Sequence, residues 1–119
     1  MLVVDDDASV RRALRRLLRA AGYEVEVFDS GAAYLEREAS DAPACLVLDV
    51  RMPVMGGLEL QRAIDGTSRD LPIVFITGHG DDEVRNRALA AGAVEILDKP
   101  LDQAVLLEAI DRAIKRGEQ

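Results

Sequence analysis

The sequence predicts an α/β fold in which five strands alternate with five helices, (βα)5, to form one doubly wound, five-stranded parallel sheet. Short apolar runs alternate along the chain with longer amphipathic stretches, which is the pattern of successive βαβ units. Three of the five runs are continuously apolar, as is typical of strands buried on both faces. The predicted strands cover residues 1–4, 24–28, 44–48, 73–76 and 94–97.

The second run, residues 24–28, alternates between charged and apolar side chains, which predicts an edge strand. The helices are predicted from apolar residues spaced three or four apart. The clearest helix runs from Val10 to Ala21 and ends before Gly22, a residue type that favours helix C-termini. Weaker patterns predict helices at residues 32–38, 58–64 and 84–91, and a fifth after residue 102.

The last predicted helix has one apolar face, and Asp102 is available as its N-cap. That face comprises Leu106, Leu107, Ile110, Ala113 and Ile114. We expect Leu101, Val105 and Ala109 to lie away from it. There they either contribute to a dimer or output-domain contact or are scattered exposed apolar residues.

Composition excludes several classes of function. A chain of 119 residues with 49% hydrophobic and 31% charged residues is expected to form one globular domain. It has no apolar run near the ~18–20 residues of a membrane span, and no signal peptide with a basic start. The single Cys45 lies in an apolar run, which favours inert core packing and fits a cytoplasmic protein. The net charge of −7 argues against direct binding to nucleic acid.

Positive charge is concentrated on the first predicted helix. Five of the 15 basic residues lie there: Arg11, Arg12, Arg15, Arg16 and Arg19. This arginine stripe is either a solvated helix face or a docking surface for an acidic partner. Charge complementarity with such a partner would speed association and fade with salt.

Polar side chains follow four of the predicted strands at their carboxyl ends. Asp5, Asp6 and Asp7 follow the first strand, Asp49 the third, Thr77 the fourth and Lys99 the fifth. In open α/β sheets ligands bind at this end, where the strand order reverses. We therefore expect these side chains to surround one site.

Asp5, Asp6 and Asp49 would bring three carboxylates into a small space, which requires raised pKa values or a counter-cation. Oxygen ligands with room for water and phosphate suit Mg2+ better than zinc. Lys99 adds a positive charge and Thr77 a hydroxyl donor. A carboxylate nucleophile, a hard cation, a lysine and a hydroxyl are the groups that phosphoryl transfer needs.

Each of these residues also has a purely structural interpretation. Asp7 is expected to be the N-cap of the first helix or to complement its dipole. Asp5 and Asp6 could be further helix-capping acids, and Asp49 a loop carboxylate. Thr77, taken alone, could be a structural residue, and Lys99 a solvated loop lysine. The joint pattern, rather than any single residue, favours a phosphoryl-transfer site.

Five motifs resemble, in order and spacing, the signature of the response-regulator receiver domain, the CheY-like family of two-component signalling. They are VVDDD at residues 3–7, LDVRMP at 48–53, GG at 56–57, ITG at 76–78 and DKP at 98–100. The resemblance covers essentially the whole chain, residues 1–119. It implies a flavodoxin-like sheet with strand order 2-1-3-4-5, either as a whole regulator or as the N-terminal part of a longer one.

The resemblance implies a metal-dependent phosphoacceptor. Asp49 would accept the phosphoryl group in a reaction that requires Mg2+, for which Mn2+ can substitute. Asp6 and Asp49 would bind the cation directly, Arg51 through its backbone carbonyl, and Asp5 through a coordinated water. The domain would not be an enzyme acting on other molecules, since it would catalyse its own phosphorylation and autodephosphorylation.

The resemblance also implies roles around the phosphoryl group, which a sensor histidine kinase would supply as phosphohistidine. Lys99 would pair with a phosphoryl oxygen, and Thr77 would move to hydrogen-bond it. The Lys99–Pro100 peptide bond is usually cis in this family. Arg51 and His79 flank the expected phosphoryl position, and our hypothesis is that they tune the lifetime of the phosphorylated state; for His79, an ordinary loop histidine is the alternative.

Ile96 stands where many family members carry Tyr or Phe as part of the switch, so output here would depend on an aliphatic rotamer or on backbone movement. Phosphorylation is expected to change the surface formed by the fourth helix, fifth strand and fifth helix. That surface would control a fused output domain, a homodimer or another partner. The segments around Arg51 and Thr77 look similar to receivers linked to transcription regulation.

Three other functions share some of these features. A binding module with this fold that never needs phosphate would be expected to have lost one of four residues, and all are present: Asp6, Asp49, Thr77 and Lys99. A phosphatase of the haloacid-dehalogenase type needs an acid two residues after its nucleophile, where Arg51 stands. A flavin-binding protein would suffer repulsion between three carboxylates and the cofactor phosphate. A phosphorylation switch is therefore the preferred prediction.

Overall fold

The computed structural model describes residues 1–37, 45–52, 55–65, 71–78 and 82–117, and over these ranges the predicted fold class is confirmed. The strands are β1 (Leu2–Val4), β2 (Glu26–Phe28), β3 (Leu46–Asp49), β4 (Ile73–Thr77) and β5 (Glu95–Asp98). The helices are α1 (Ala8–Ala20), α2 (Gly31–Glu36), α3 (Gly57–Asp65), α4 (Asp82–Ala90) and α5 (Gln103–Gly117). All five strands are parallel, in the order β2-β1-β3-β4-β5 that the resemblance implies.

Burial of each strand follows its position in the sheet. Every residue of the three inner strands β1, β3 and β4 is buried. Glu26 of β2 is exposed, and β2 lies at one edge, so the edge prediction is confirmed. The strand begins at Glu26 rather than at residue 24, because its pairing with β1 starts where Leu2 meets Glu26.

Helices cover both faces of the sheet, which divides the core into two layers. Because successive strand residues point to opposite faces, neighbours such as Val47 and Leu48 enter different layers. One layer joins α1 and α5 to the sheet through Leu14, Leu18, Leu106 and Ile110. The other joins α2, α3 and α4 through Tyr34, Leu60, Ile64 and Ala88. Within the described ranges, no helix combines the length and apolar composition needed to cross a membrane.

Polar side chains and glycines fix the ends of α1. Asp7 is its N-cap, as predicted, and its side chain accepts a hydrogen bond from the backbone N–H of Ser9 at 2.8 Å. The helix therefore begins at Ala8, directly after this cap. The apolar repeat starts two residues later, at Val10, because the first two residues of the helix, Ala8 and Ser9, are small. Gly22, just past the helix, has a φ of 96°, a conformation that glycine adopts without a Cβ penalty.

One prediction for α5 is wrong. Ala109 is fully buried rather than on an outer face, and Leu101 packs partly buried against the same core layer. The reason is that α5 packs against both the sheet and α1. The buried part of its surface is therefore wider than the face formed by its large apolar residues. Val105 is 43% exposed, as predicted, and Asp102 accepts a hydrogen bond from its backbone N–H at 3.1 Å.

The thiol of Cys45 is fully buried directly before β3. Burial raises its pKa to about 12, so almost none of it is thiolate near neutral pH. The interpretation of Cys45 as inert core packing is therefore confirmed.

Gly57, the first residue of α3, allows the helix to pack directly under β3 and β4. A Cβ at this position would meet the carbonyl oxygen of Asp49, and would lie 2.9 Å from both Cε1 of Phe75 and Cα of Val50. We expect Gly57→Ala to lower the free energy of unfolding by about 1–3 kcal/mol, the usual cost of overpacking a core. Urea denaturation followed by circular dichroism measures this change.

The matched control is Gly78→Ala, because a Cβ at Gly78 would have no heavy atom within 4 Å. Its midpoint is expected to stay at the wild-type value. Equal midpoints for both variants would contradict the close packing described at Gly57.

Candidate functional site

The carboxyl ends of β1, β3, β4 and β5 bring the predicted site residues to one edge of the sheet. Asp5 follows β1, Asp49 ends β3, Thr77 ends β4, and Lys99 follows β5. The chain leaves β1 towards β2 on one side and returns to β3 on the other, so the strand order reverses between β1 and β3. A crevice at such a reversal is where open α/β sheets bind ligands.

Three carboxylates converge at this crevice. Asp5, Asp6 and Asp49 each offer one oxygen, and these oxygens all lie within 4.8 Å of one another. Asp5 is fully buried, Asp49 is 4% exposed, and Asp6 is exposed at the rim. The cluster therefore has two buried acids behind one acid that faces solvent.

Lys99 adds a positive charge to this cluster. Its Nζ lies 3.4 Å from Oδ2 of Asp5 and 3.6 Å from Oδ2 of Asp49. Its backbone N–H donates to the carbonyl of Thr77 at 2.7 Å, which ties the segment after β5 to the end of β4. The Lys99–Pro100 peptide bond is cis, as the family resemblance implies.

Hydrogen bonds fix the main chain between β1 and α1. The backbone N–H of Asp5 donates to the carbonyl of Phe28 at 3.1 Å, and Oδ1 of Asp5 accepts from the backbone N–H of Asp7 at 2.9 Å. Nη1 of Arg11 donates to the carbonyl oxygen of Asp5 at 2.7 Å. The acidic residues after β1 are therefore held on a short loop whose two ends are both anchored.

The electrostatics of the cluster are unbalanced. Burial, and then the charge of Asp5, raise the pKa of Asp49 to about 6, although Lys99 opposes the increase. Partial burial would lower the pKa of Lys99, but the carboxylates of Asp49 and Asp5 outweigh it and raise that pKa. In the part of the chain that the structure describes, three carboxylates face one ammonium, so this part of the site has an excess of negative charge that a cation would neutralise.

The donor atoms fit a hard divalent cation such as Mg2+. Oδ2 of Asp5 is buried, and among the described residues it has no well-aligned hydrogen-bond donor, although Nζ of Lys99 lies 3.4 Å away. A buried carboxylate oxygen left in this way suits a cation or its coordinated water. The exposure of Asp6 leaves one side open to the waters that Mg2+ usually retains.

The remaining predicted residues lie around this cluster. Thr77 is 4% exposed, at the end of β4 next to β3. Arg51 is exposed, and its backbone N–H donates to Oδ1 of Asp49 at 3.3 Å. Ile96 is buried, with 4% exposed. His79 lies outside the described residues.

The sequence did not single out two arginine contacts that the structure describes. Arg11 was grouped with the arginine stripe, yet it reaches the loop of the acidic site. Arg85 of α4 donates to the carbonyl of Ile96 at 3.1 Å and pairs with Asp98 at 3.3 Å. The only available signal was position, since Arg11 lies four residues after the N-cap of α1, where a long side chain can point back toward the loop.

Comparison with known proteins identifies relatives over nearly the whole chain. A family model, the response regulator receiver domain, matches residues 1–111. The response regulator protein TodT of Pseudomonas putida is 43% identical over 117 residues, which are 98% of this chain and 52% of TodT. The transcriptional regulatory protein FixJ of Bradyrhizobium diazoefficiens is 39% identical over 116 residues, 98% of this chain and 57% of FixJ.

A solved structure agrees with these matches. The response regulator StyR has a TM-score of 0.88 to this chain at 49% identity, and the match covers 98% of this chain and 59% of that one. The chain thus spans about half the length of the curated relatives it matches.

Proposed function

Because the chain belongs to the response regulator receiver domain family of two-component systems, we propose that it is a phosphorylation switch that accepts a phosphoryl group on Asp49 in a Mg2+-dependent reaction. One observation carries the proposal: the Asp49 carboxylate lies within 4.8 Å of two other acids and 3.6 Å from the ammonium of Lys99. A nucleophile, donors for a hard cation and a fixed positive charge thus meet in one crevice.

Asp49 acts as the nucleophile. One of its carboxylate oxygens forms a bond to phosphorus while the P–N bond of a phosphohistidine breaks, and the imidazole leaves. With a pKa of about 6, Asp49 is mostly ionised at neutral pH even without a cation. Lys99, already 3.6 Å away, pairs with a phosphoryl oxygen, and the hydroxyl of Thr77 donates to another.

The cation would be held by Asp6, Asp49 and the backbone carbonyl of Arg51, with Asp5 acting through a coordinated water. When bound, Mg2+ supplies positive charge to the transferring phosphoryl oxygens; Mn2+ can substitute. The domain turns over no external substrate. Water later cleaves the acyl phosphate, returning the Asp49 carboxylate and inorganic phosphate. Arg51 and His79 tune this lifetime.

The phosphoryl donor is a sensor histidine kinase in the cytoplasm. The exposed arginines of α1 suit contact with an acidic kinase surface, and such a contact weakens as salt increases. They are Arg12, Arg15, Arg16 and Arg19. The net charge of −7 disfavours binding of this domain to nucleic acid, so any such contact would be made by a fused output domain.

The output surface is formed by α4, β5 and α5. Leu89 and Val105, 42% and 43% exposed, offer apolar area for a homodimer or a fused output domain. Movement of Thr77 and Ile96 would reach this surface through β4 and β5, which pair side by side. Relatives such as FixJ are named transcriptional regulators, and we propose that this domain, residues 1–119, controls transcription as part of a longer regulator.

The proposal is tested with acetyl phosphate and Mg2+, followed by intact mass measurement. The wild type is expected to gain one phosphoryl group and Asp49→Ala to gain none. Over the described ranges, the other carboxylate in contact with Lys99 is that of Asp5, which is fully buried. Asp111→Ala, an exposed acid on α5, is the matched control and should react like the wild type.

Omission of Mg2+ with added EDTA should also abolish the adduct. A wild-type protein that gains no phosphoryl group from acetyl phosphate when Mg2+ is present would contradict the proposal and favour a phosphorylation-independent interaction module. If Asp49→Ala still gains a phosphoryl group, a residue other than Asp49 is the acceptor.

A further inference from the structure

We propose that Arg11 is a positioning residue of the cation site, which holds the Asp5–Asp6 main chain so that the carboxylate of Asp6 faces the other two acids. This inference rests on the proposed function, because it concerns the same site. Nη1 of Arg11 donates to the carbonyl oxygen of Asp5 at 2.7 Å, and Arg11 is half-buried. The other four arginines of the stripe are exposed.

The geometry of α1 explains why this arginine reaches the loop. The backbone N–H of Arg11 donates to the carbonyl of the N-cap Asp7 at 3.0 Å, so Arg11 lies one helical turn after the cap. Side chains on a helix point toward its N-terminus. A long side chain at this position therefore extends back over the loop, whereas that of Arg15 starts a turn further away.

The contact matters because little else orients Asp6. The Asp6 side chain takes part in none of the hydrogen bonds found among the described residues, so its direction depends on its backbone. The peptide unit before Asp6 is planar and rigid, and its carbonyl belongs to Asp5, where Arg11 binds. The next peptide unit is fixed by the bond from Asp7 N–H to Asp5. Loss of the Arg11 bond would free one of these two units.

The positioning role and a simple charge effect predict opposite changes in Mg2+ affinity when Arg11 is removed. A guanidinium repels a divalent cation, so removing the charge of Arg11 would strengthen Mg2+ binding if electrostatics alone mattered. If Arg11 positions Asp6, its removal weakens binding. Residues that hold metal ligands in place typically contribute about 10–100-fold to metal affinity. The sign of the change therefore separates the two roles.

The test measures the affinity of the whole chain for Mg2+ alone by titration calorimetry. Electron paramagnetic resonance of Mn2+ serves as a second probe of the same site. Arg11→Met keeps an apolar stem and removes the donor, and it should bind Mg2+ about 10-fold more weakly. Arg12→Met removes a neighbouring, exposed charge and should bind as the wild type does or slightly tighter. Arg11→Lys, which restores a cationic donor, should recover part of the loss.

Each outcome decides a different point. Affinity of Arg11→Met equal to or above that of Arg12→Met overturns the positioning role while leaving the proposed function intact. Absence of Mg2+ binding by the wild type overturns the metal-dependent function and this inference with it. If Arg11→Met does not fold, Arg11→Gln against Arg12→Gln makes the same comparison, with the same expected direction.

Discussion

Replacing Lys99 by Met is expected to slow phosphorylation of Asp49 by a small phosphodonor about 100-fold, the usual effect of removing one fixed group that stabilises transition-state charge. Nζ of Lys99 lies within 3.6 Å of the Asp5 and Asp49 carboxylates, where it can reach a phosphoryl group on Asp49. Methionine keeps a side chain of similar length without the charge. The rate is followed by intact mass over time.

Cation binding separates this catalytic effect from a damaged site. Removing the ammonium leaves three carboxylates without their positive neighbour, so Mg2+ is expected to bind Lys99→Met at least as tightly as it binds the wild type. The matched control is Lys115→Met, whose lysine is exposed on α5 and pairs with Asp111, one helical turn away. A wild-type rate in Lys99→Met, with Mg2+ still bound, would contradict the role assigned to the lysine.

The fold and the acidic cluster could be predicted from sequence because both depend on strong, local signals. The continuous apolar run that contains Val47 and Leu48 marks a strand buried on both faces, and a polar residue directly after it must lie at the carboxyl end. Parallel strands bring such ends together. Asp49 and Lys99, fifty positions apart in the chain, therefore meet without any need to know the loops between them.

Contacts that depend on side-chain direction could not be predicted in this way. Arg11 and Arg12 are identical in charge and adjacent in sequence, yet only Arg11 reaches the loop of the site. Ala109 was assigned to an outer face together with Leu101 and Val105, yet its side chain is fully buried, since close packing of a helix on a sheet favours small residues. The contact of Arg85 with the carbonyl of Ile96 joins two elements whose relative placement the sequence does not specify.

The second large effect concerns the stability of the metal-free protein, and it follows from the raised pKa of Asp49. Burial and then the charge of Asp5 raise this pKa from 3.8 to about 6. The protonated carboxyl is thus favoured in the folded state. Its contribution to stability is fully present below about pH 4 and is lost as the pH rises through about 6, so at neutral pH the ionised Asp49 destabilises the fold.

Asp49→Asn is therefore expected to unfold with a free energy as much as about 3 kcal/mol higher than the wild type at pH 7.5 in EDTA, since a pKa difference of about two corresponds to that energy. The advantage should shrink as the pH falls toward about 5, where more of the wild-type carboxyl is protonated. Mg2+ should narrow it too, because binding to the intact acidic cluster stabilises only the wild type appreciably. Urea denaturation of both proteins at each pH, with and without Mg2+, measures the stability gain at pH 7.5, its decrease toward pH 5 and its decrease when Mg2+ is added.

The control for this experiment is Asp111→Asn, at an exposed position on α5, which should match the wild type under every condition. An Asp49→Asn protein no more stable than the wild type at pH 7.5 in EDTA would show that Lys99 fully compensates the buried carboxylates. The crevice would then hold no excess of negative charge for a cation to neutralise. If Asp49→Asn is more stable in EDTA but not in Mg2+, the ionised Asp49 carboxylate both destabilises the metal-free fold and attracts the cation.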